Sequence, residues 1–223
     1  MSAPLRITAP DDLARLVRHY GFLPFFSTCI PGFSIDDMTP ATVWQQYMGL
    51  GPWLWRDEIA AEKQCIYGKF FGKKTGYVSA EWFAHLCNYR RDGYDFEGWY
   101  EDGHAHFDAK RIYEIVEREG PISAPLLKSQ AHVPAAAFDR ELIHLQMQTF
   151  IVPSDFLFSR DKQGNKKYSY GTTVYDLPER WLGASACALP ERISPEASYR
   201  RMVDHLASRL PAVPRGLIEK MLK

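Results

Sequence analysis

The chain has 223 residues, of which 46% are hydrophobic and 24% charged, so it can bury a core and lacks the composition of a disordered protein. Lysine plus arginine and aspartate plus glutamate both number 27, so any site for nucleic acid must rest on local cationic patches. No apolar run reaches the roughly 18 to 20 residues of a membrane span. The start of the chain also lacks the basic and apolar segments of an export signal. We therefore expect a cytoplasmic protein that does not enter the membrane.

The residue types that bind metals and nucleotides occur without the spacing that such sites need. The four cysteines form no Cys-x-x-Cys pair and lie far apart, at Cys29, Cys65, Cys87 and Cys187. This spacing favours reduced thiols over a zinc site or a disulfide framework. His104 and His106 are only two ligands, whereas a structural zinc ion takes four. The glycines and lysines of 68–74 fit neither phosphate-binding motif. We expect no metal and no cofactor.

Two short helices are predicted near the start of the chain. Residues 11–20 have the apolar spacing of an amphipathic helix, with three side chains inward, Leu13, Leu16 and Val17. A second helix begins at Thr39 or Pro40 and runs toward Met48. No Pro/Gly/Ser-rich linker separates these helices from the rest of the chain, so we expect extensive contacts between its regions.

Residues 44–100 are unusually aromatic, since they hold 15 of the 31 aromatic side chains and five of the six tryptophans. One interpretation is a compact aromatic core, because Trp and Tyr dominate buried area wherever they occur. A second interpretation is a surface that stacks nucleic-acid bases, because cations are interleaved with the rings at Lys63, Lys69, Lys73, Lys74, Arg90 and Arg91. Acidic residues between Glu81 and Asp102 could pair with those cations instead. The spacing alone leaves both interpretations open.

Two helices are predicted next. Residues 107–119 carry apolar side chains on one face and end at Gly120-Pro121; the inward residues are Ile112, Ile115 and Val116. The second helix runs over 123–132 with Ser123 as its N-cap, and Leu126 and Leu127 are expected to face inward.

A third helix comes directly after them. Its apolar side chains are spaced 4, 3 and 4 residues apart and therefore share one face, Phe138, Leu142, Leu145 and Thr149. Another face carries Arg140, His144 and Met147. This exposed face is the candidate for contact with a partner.

The segments 150–158 and 167–175 are rich in aromatic and β-branched residues, which predicts two strands. Gly164-Asn165 between them supplies a tight reversal, so the pair is expected to form a hairpin. The tip is cationic, with Arg160, Lys162, Lys166 and Lys167 against Asp161. Three helices followed by such a hairpin indicate a winged-helix unit. The tip charges suit phosphate contact, although they also suit any solvated loop.

The triplet Gln146-Met147-Gln148, within this predicted unit, resembles the bacterial AlkZ/YcaQ-type winged-helix DNA glycosylases. Three further blocks resemble a group of bacterial proteins related to that family, Gly51–Arg56, Tyr67–Phe71 and Tyr89–Phe96. The resemblance to this group covers most of the chain, whereas the resemblance to the enzymes is confined to the winged-helix part.

The resemblance implies a role in the removal of alkylated or crosslinked bases from DNA, with Gln146 and Gln148 as catalytic residues. An N-alkylated purine is already cationic and departs without a strong general acid, so a carboxamide need only position water or stabilise the sugar. The alternative interpretation of the triplet is the ordinary passage from a helix into a strand, with both glutamines as hydrogen-bonding groups at a helix end.

The sequence therefore predicts an α+β fold, mainly helical, with an aromatic-rich N-terminal region at 1–103, a central winged helix at 104–182 and a C-terminal helical segment at 183–223 that packs on the rest. The last segment is expected to contain a helix from Pro195 to Leu210.

The expected function is that of a winged-helix DNA-binding protein related to alkylpurine DNA glycosylases and to DNA repair, with double-stranded DNA as partner. The alternative is a non-catalytic transcriptional regulator or protein-interaction module, and the sequence decides neither whether the protein is an enzyme nor its oligomeric state. Ten cationic side chains are the candidates for DNA contact: Lys73, Lys74, Arg90, Arg91, Arg140, His144, Arg160, Lys162, Lys166 and Lys167.

Overall fold

The computed structural model describes residues 6–167, 169–189 and 192–223. The fold mixes helix and sheet, with 52% of residues helical and 14% in strands, in agreement with the expected α+β class. Within these ranges, no helix combines the length and the apolar character that crossing a membrane requires.

The N-terminal part alternates short helices with three strands. Its elements, in chain order, are α1 (Pro10–Tyr20), β1 (Phe22–Pro24), α2 (Ile35–Met38), α3 (Ala41–Gln46), a 3₁₀ turn (Gly51–Trp55), α4 (Arg56–Ala61), β2 (Cys65–Phe71), β3 (Lys74–Ser79), α5 (Ala80–Arg91) and α6 (Phe96–Glu101). Helix α1 buries the three apolar residues predicted for it. The strands β1 to β3 were not predicted, because the aromatic blocks that form them do not alternate with polar residues as a half-buried strand would.

The central part contains the three predicted helices and two longer strands, of which the second begins at Thr172 and not at residue 167 as predicted. They are α7 (Phe107–Glu119), α8 (Ala124–Ala131), α9 (Ala135–Met147), β5 (Val152–Leu157) and β6 (Thr172–Asp176), with an additional short strand β4 (Ile122–Ser123) between the first two helices. Three helices complete the chain, α10 (Pro178–Leu182), α11 (Pro195–Arg209) and α12 (Arg215–Leu222). Ser123 lies at the N-cap of α8, as expected, but its side chain makes no capping hydrogen bond.

The strands form two antiparallel sheets of three strands each. The first has the order β1-β3-β2 and the second the order β4-β6-β5. The first sheet needs Gly76 at its centre, because a Cβ at that position would lie 2.4 Å from the ring of Phe71 and 2.6 Å from the carbonyl oxygen of Leu23. In the second sheet, β6 joins the hairpin partner β5 to the short strand β4.

Two hydrophobic cores lie beneath these sheets. The first joins α1, the first sheet and α5 to α11 and α12, and it also takes in Val152 and Phe156 of β5. The second is built from α6, α7, α8 and α9. Most of the rings of the aromatic region lie in these cores: Trp55, Tyr67, Phe70, Phe71, Tyr77, Phe83, Phe96 and Trp99 are buried. This agrees with the core interpretation of those rings.

Leu126 is an exception to the predicted core, since half of its surface is exposed while Leu127 is fully buried. Neighbouring residues of a helix point about 100° apart, so a helix as short as α8 can turn only one of the two toward the core. The prediction that both face inward was wrong for Leu126.

Candidate nucleic-acid interface

Helix α9 is positioned by its apolar face. Phe138, Leu142 and Leu145 are buried in the second core together with side chains of α7 and α8. The helix also packs against β2 of the N-terminal part, so it is covered on two sides. The remaining face, with Arg140 and His144, is left for other contacts.

That remaining face forms one wall of a cleft of about 300 Å³. We call it the α9 cleft. The turn between β2 and β3 and the loop before α7 supply the other walls, so that the lining residues are Lys73, His104, His106, Arg140, Glu141, Ile143, His144, Met147 and Gln148. Three histidines, a lysine and an arginine make the cleft suitable for an anionic or polar ligand. Among the residues described, no group of three or more His, Cys, Asp or Glu side chains could hold a metal ion.

The two glutamines of the triplet occupy different environments. Gln146 is only 4% exposed, and its side-chain amide donates a hydrogen bond of 3.3 Å to the carbonyl oxygen of Leu142, one turn earlier in α9. Gln148 follows the end of the helix and lines the α9 cleft. The structure thus brings Gln148 together with Arg140, His144 and Lys73, whereas Gln146 packs inside the fold.

A buried carboxylate lies beneath the α9 cleft. Glu141 is 1% exposed, and its Oε1 accepts a hydrogen bond of 2.8 Å from Nε of Arg140. Its Oε2 lies 3.9 Å from Nδ1 of His144. Sequence reasoning missed this residue, because a glutamate beside an arginine on an amphipathic helix ordinarily faces solvent. Its place in the sequence, directly before Leu142 and three residues after Phe138, was the available signal.

His144 links this carboxylate to the cleft. Its ring contacts that of Trp99, with 5.1 Å between centroids. Burial lowers the pKa of His144, Glu141 opposes this by raising it, and the neighbouring His106 and Lys73 lower it further. The net direction is downward, so the imidazole is neutral near pH 7 and can accept a proton.

The loop between β5 and β6 presents a second cationic surface. Asp161 accepts hydrogen bonds from the backbone N–H groups of Gln163 and Asn165, and Gly164 adopts a positive φ of 86° at the reversal. Asp161 thus stabilises the loop and keeps its negative charge, and the three exposed cations of the loop outnumber it. We call Arg160, Lys162 and Lys167, which are all exposed, the hairpin-tip cations.

Three of the predicted cations are engaged within the protein instead. Lys166 donates to Asp57 at 2.7 Å and to the carbonyl oxygen of Leu54 at 2.8 Å. Arg90 donates to the carbonyl oxygens of Phe70 and Leu222, and Arg91 to Thr149 and Glu179. These side chains hold distant segments together and are not presented to a partner.

Lys74 lies apart from the other candidates. It is exposed, and its Nζ donates a hydrogen bond of 2.6 Å to the carbonyl oxygen of Ser27. Of the ten predicted cations, Lys73, Arg140 and His144 line the α9 cleft, and Arg160, Lys162 and Lys167 lie on the hairpin tip. The structure therefore separates the predicted site into two surfaces.

Neither the curated proteins nor the solved structures include a match to this chain. A family model does match, over residues 7–223, and its description is "AlkZ related". This match extends over nearly the whole chain, including both sheets, the α9 cleft and the C-terminal helices, and so this chain belongs to the AlkZ-related family.

Proposed function

We propose that this protein is a winged-helix DNA-binding protein that releases alkylated purines from DNA, with the α9 cleft as the site that takes the base. The observation that carries the DNA-binding part is the order of elements α7, β4, α8, α9, β5, β6 with the sheet order β4-β6-β5. This is the arrangement expected of a winged helix, in which β5, β6 and their connecting loop are the wing. Membership of the AlkZ-related family supports the same function.

Local charge supports DNA as the partner. The chain as a whole carries no net charge, so affinity for DNA must come from exposed cations that are not already paired. The hairpin-tip cations are exposed and outnumber Asp161, the carboxylate within their loop, although Arg160 also donates a hydrogen bond to the carbonyl oxygen of Gly164. A loop of this kind contacts the phosphate backbone and positions the protein without reading sequence.

The shape of the α9 cleft favours base excision over transcriptional regulation. In a regulator, the exposed face of the third helix enters the major groove. Here β2 packs on α9, and the turn before β3 places Lys73 opposite Arg140, which encloses part of that face. A cleft of about 300 Å³ is at the small end of ligand sites and suits one extruded nucleotide.

The test of DNA binding is a gel shift at two salt concentrations. Replacement of the three hairpin-tip cations by Ala should weaken binding and reduce the slope of log K against log salt by roughly 0.9 for each lost phosphate contact. The matched control removes three exposed arginines from α1 and α11, namely Arg15, Arg18 and Arg200. An unchanged slope in the hairpin variant, or an equal change in the control, would remove the wing from the interface.

The test of base release uses duplex DNA that carries an N7-alkylated guanine. Gln148→Ala should lose release, because Gln148 lines the cleft, whereas Gln146→Leu should keep it, because Gln146 packs inside the fold. Loss of release in Gln146→Leu alone would contradict the cleft as the site. No release by the natural protein above the spontaneous rate, despite measurable DNA binding, would favour the non-catalytic alternative.

A further inference from the structure

Glu141 and His144 lie one turn apart on α9 and form a carboxylate–imidazole pair at the α9 cleft. Glu141 is buried below the surface of the cleft, and the exposed part of His144 lines it. Because Nδ1 of His144 is the nitrogen on the side of Glu141, at 3.9 Å from Oε2, the opposite nitrogen, Nε2, is the one left for a ligand. A separation of 3.9 Å is too long for a hydrogen bond in the free protein, but such pairs commonly tighten when substrate binds.

Among the described residues, the close partners of the buried Glu141 carboxylate are Nε of Arg140, at 2.8 Å, and Nδ1 of His144, at 3.9 Å. A buried carboxylate is costly unless it is fully paired, and the partner of Glu141, Arg140, is itself a largely exposed side chain. Groups that are kept in such costly positions inside a cleft are candidates for function.

We infer that His144 is the general base of the α9 cleft and that Glu141 is a positioning residue that orients the imidazole with Nδ1–H toward the carboxylate and Nε2 toward water. This inference rests on the proposed function, because it assigns the proton acceptor for base release. The two glutamines of the motif do not supply this proton acceptor, because a carboxamide cannot accept a proton at neutral pH.

The reaction balances with water as the only other reactant. The C1′–N9 bond of the N7-alkylated purine nucleotide breaks, and its electron pair neutralises the cationic ring, so the base leaves as a neutral molecule. The oxygen of a water molecule forms the new bond to C1′ and gives one proton to Nε2 of His144, from which it passes to solvent. Gln148, one turn beyond His144, is placed to hold that water by a hydrogen bond.

The groups around His144 determine how release should depend on pH. Glu141 on the same helix favours the protonated imidazole, whereas His106 before α7 and Lys73 in the turn between β2 and β3 disfavour it. Among the described residues, Arg140 and His104 are the other charged or titratable groups that line the cleft. Release should therefore fall on the acidic side, as His144 becomes protonated, and the midpoint of that fall should respond to each neighbouring charge.

The experiment is single-turnover release of N7-methylguanine from duplex DNA as a function of pH. His144→Asn should lower the rate by about 100-fold or more, the usual contribution of a positioned base, whereas His132→Asn, at an exposed helix end with positive φ that Asn tolerates, should not. Glu141→Gln should move the acidic midpoint downward by about 0.7 pH units or more, since even in bulk water a unit charge about 4 Å away has that effect.

Lys73→Ala gives an independent readout, because Lys73 is exposed and its loss does not disturb a core. It should move the acidic midpoint upward, opposite in sign to Glu141→Gln, whereas Glu114→Gln on the exposed face of α7 should leave the midpoint unchanged. A purely structural role for these residues would change the rate without opposite movements of the midpoint.

The outcomes separate the inference from the proposed function. Undiminished release by His144→Asn, or a midpoint that neither Glu141→Gln nor Lys73→Ala moves, would overturn the inference while leaving base release in place. No release by the natural protein at any pH would overturn the proposed function and the inference together. If Glu141→Gln fails to fold, as its melting curve would reveal, the sign of the Lys73→Ala effect decides.

Discussion

Replacement of Arg91 by Ala should destabilise the protein strongly while leaving the intrinsic DNA affinity of the folded molecule unchanged. The guanidinium lies at the end of α5 and is 15% exposed. It donates to the carbonyl oxygen of Thr149 at 2.6 Å and to its hydroxyl at 3.2 Å, pairs with Glu179 at 2.5 Å, and lies 4.8 Å from the ring centre of Phe150.

The magnitude depends on the interactions that each partner loses. Thr149 is fully buried, so its carbonyl oxygen would be left unpaired once the hydrogen bond from Arg91 is lost. Thr149 also holds a positive φ of 62°, which is unfavourable for a β-branched residue, so the loss falls at a strained position. An unpaired buried group costs about 1–3 kcal/mol. Glu179 is 36% exposed and regains water, so its loss is smaller than the roughly 3–5 kcal/mol of a fully buried pair. We expect a total of about 3 kcal/mol.

The assay is urea unfolding followed by tryptophan fluorescence. Arg118→Ala is the control, because Arg118 is 64% exposed and pairs with its exposed neighbour Glu119, and a change within about 0.5 kcal/mol is expected there. Arg91→Met keeps the contact with Phe150 and isolates the hydrogen bonds. A loss below about 1 kcal/mol for Arg91→Ala, with a reduced salt slope of DNA binding, would refute this reasoning and return Arg91 to the DNA interface.

Leu145→Ala should cost about 2–5 kcal/mol in urea unfolding, because Leu145 is fully buried in the second core. Leu126→Ala should cost well under about 1 kcal/mol, and equal losses would contradict the described packing. Stability should also fall on mild acidification, because burial lowers the pKa values of His85, His144 and His205 below 6.5. The unfolded chain then binds more protons than the folded one between those lowered values and 6.5, so the free energy of unfolding rises with pH in that interval. Urea unfolding at about pH 7.5 and about pH 6 tests this, and equal stabilities would contradict it.

Local patterns accounted for much of the central part. The bounds of α7 agree with the prediction, because the signals that set them are local: the apolar spacing lies within the helix, and Gly120-Pro121 follows directly after it. The burial of Gln146 was equally readable, since it follows Leu142 by four residues and lies beside Leu145 on the same helical face. The sequence could not provide the α9 cleft, which forms only because β2 and the loop before α7 pack around the helix. Contacts between such distant segments leave no periodic signal.

The same dependence on distant contacts explains why the sequence did not show which cations are engaged within the protein. Arg90, Arg91 and Lys166 occur among rings and other basic residues, just as exposed phosphate-binding cations do. Their actual partners are carbonyl and carboxylate groups that the fold brings from up to 132 residues away. Charge pattern alone therefore identifies where cations cluster, but not which of them remain available after folding.

The sharing of the first core between distant segments also has a consequence for synthesis on the ribosome. Helix α5 contacts α11, and Arg90 reaches the carbonyl oxygen of Leu222, so apolar surface on α1 and α5 remains bare until α12 has been made. At roughly 5–20 residues per second, the 132 residues between those two partners take on the order of ten seconds to translate. During that interval the second core, whose buried residues lie within 96–151, can already begin to close, although Tyr175 and Leu177 pack against it later. The nascent N-terminal part should therefore be a target for chaperones that bind exposed apolar chain.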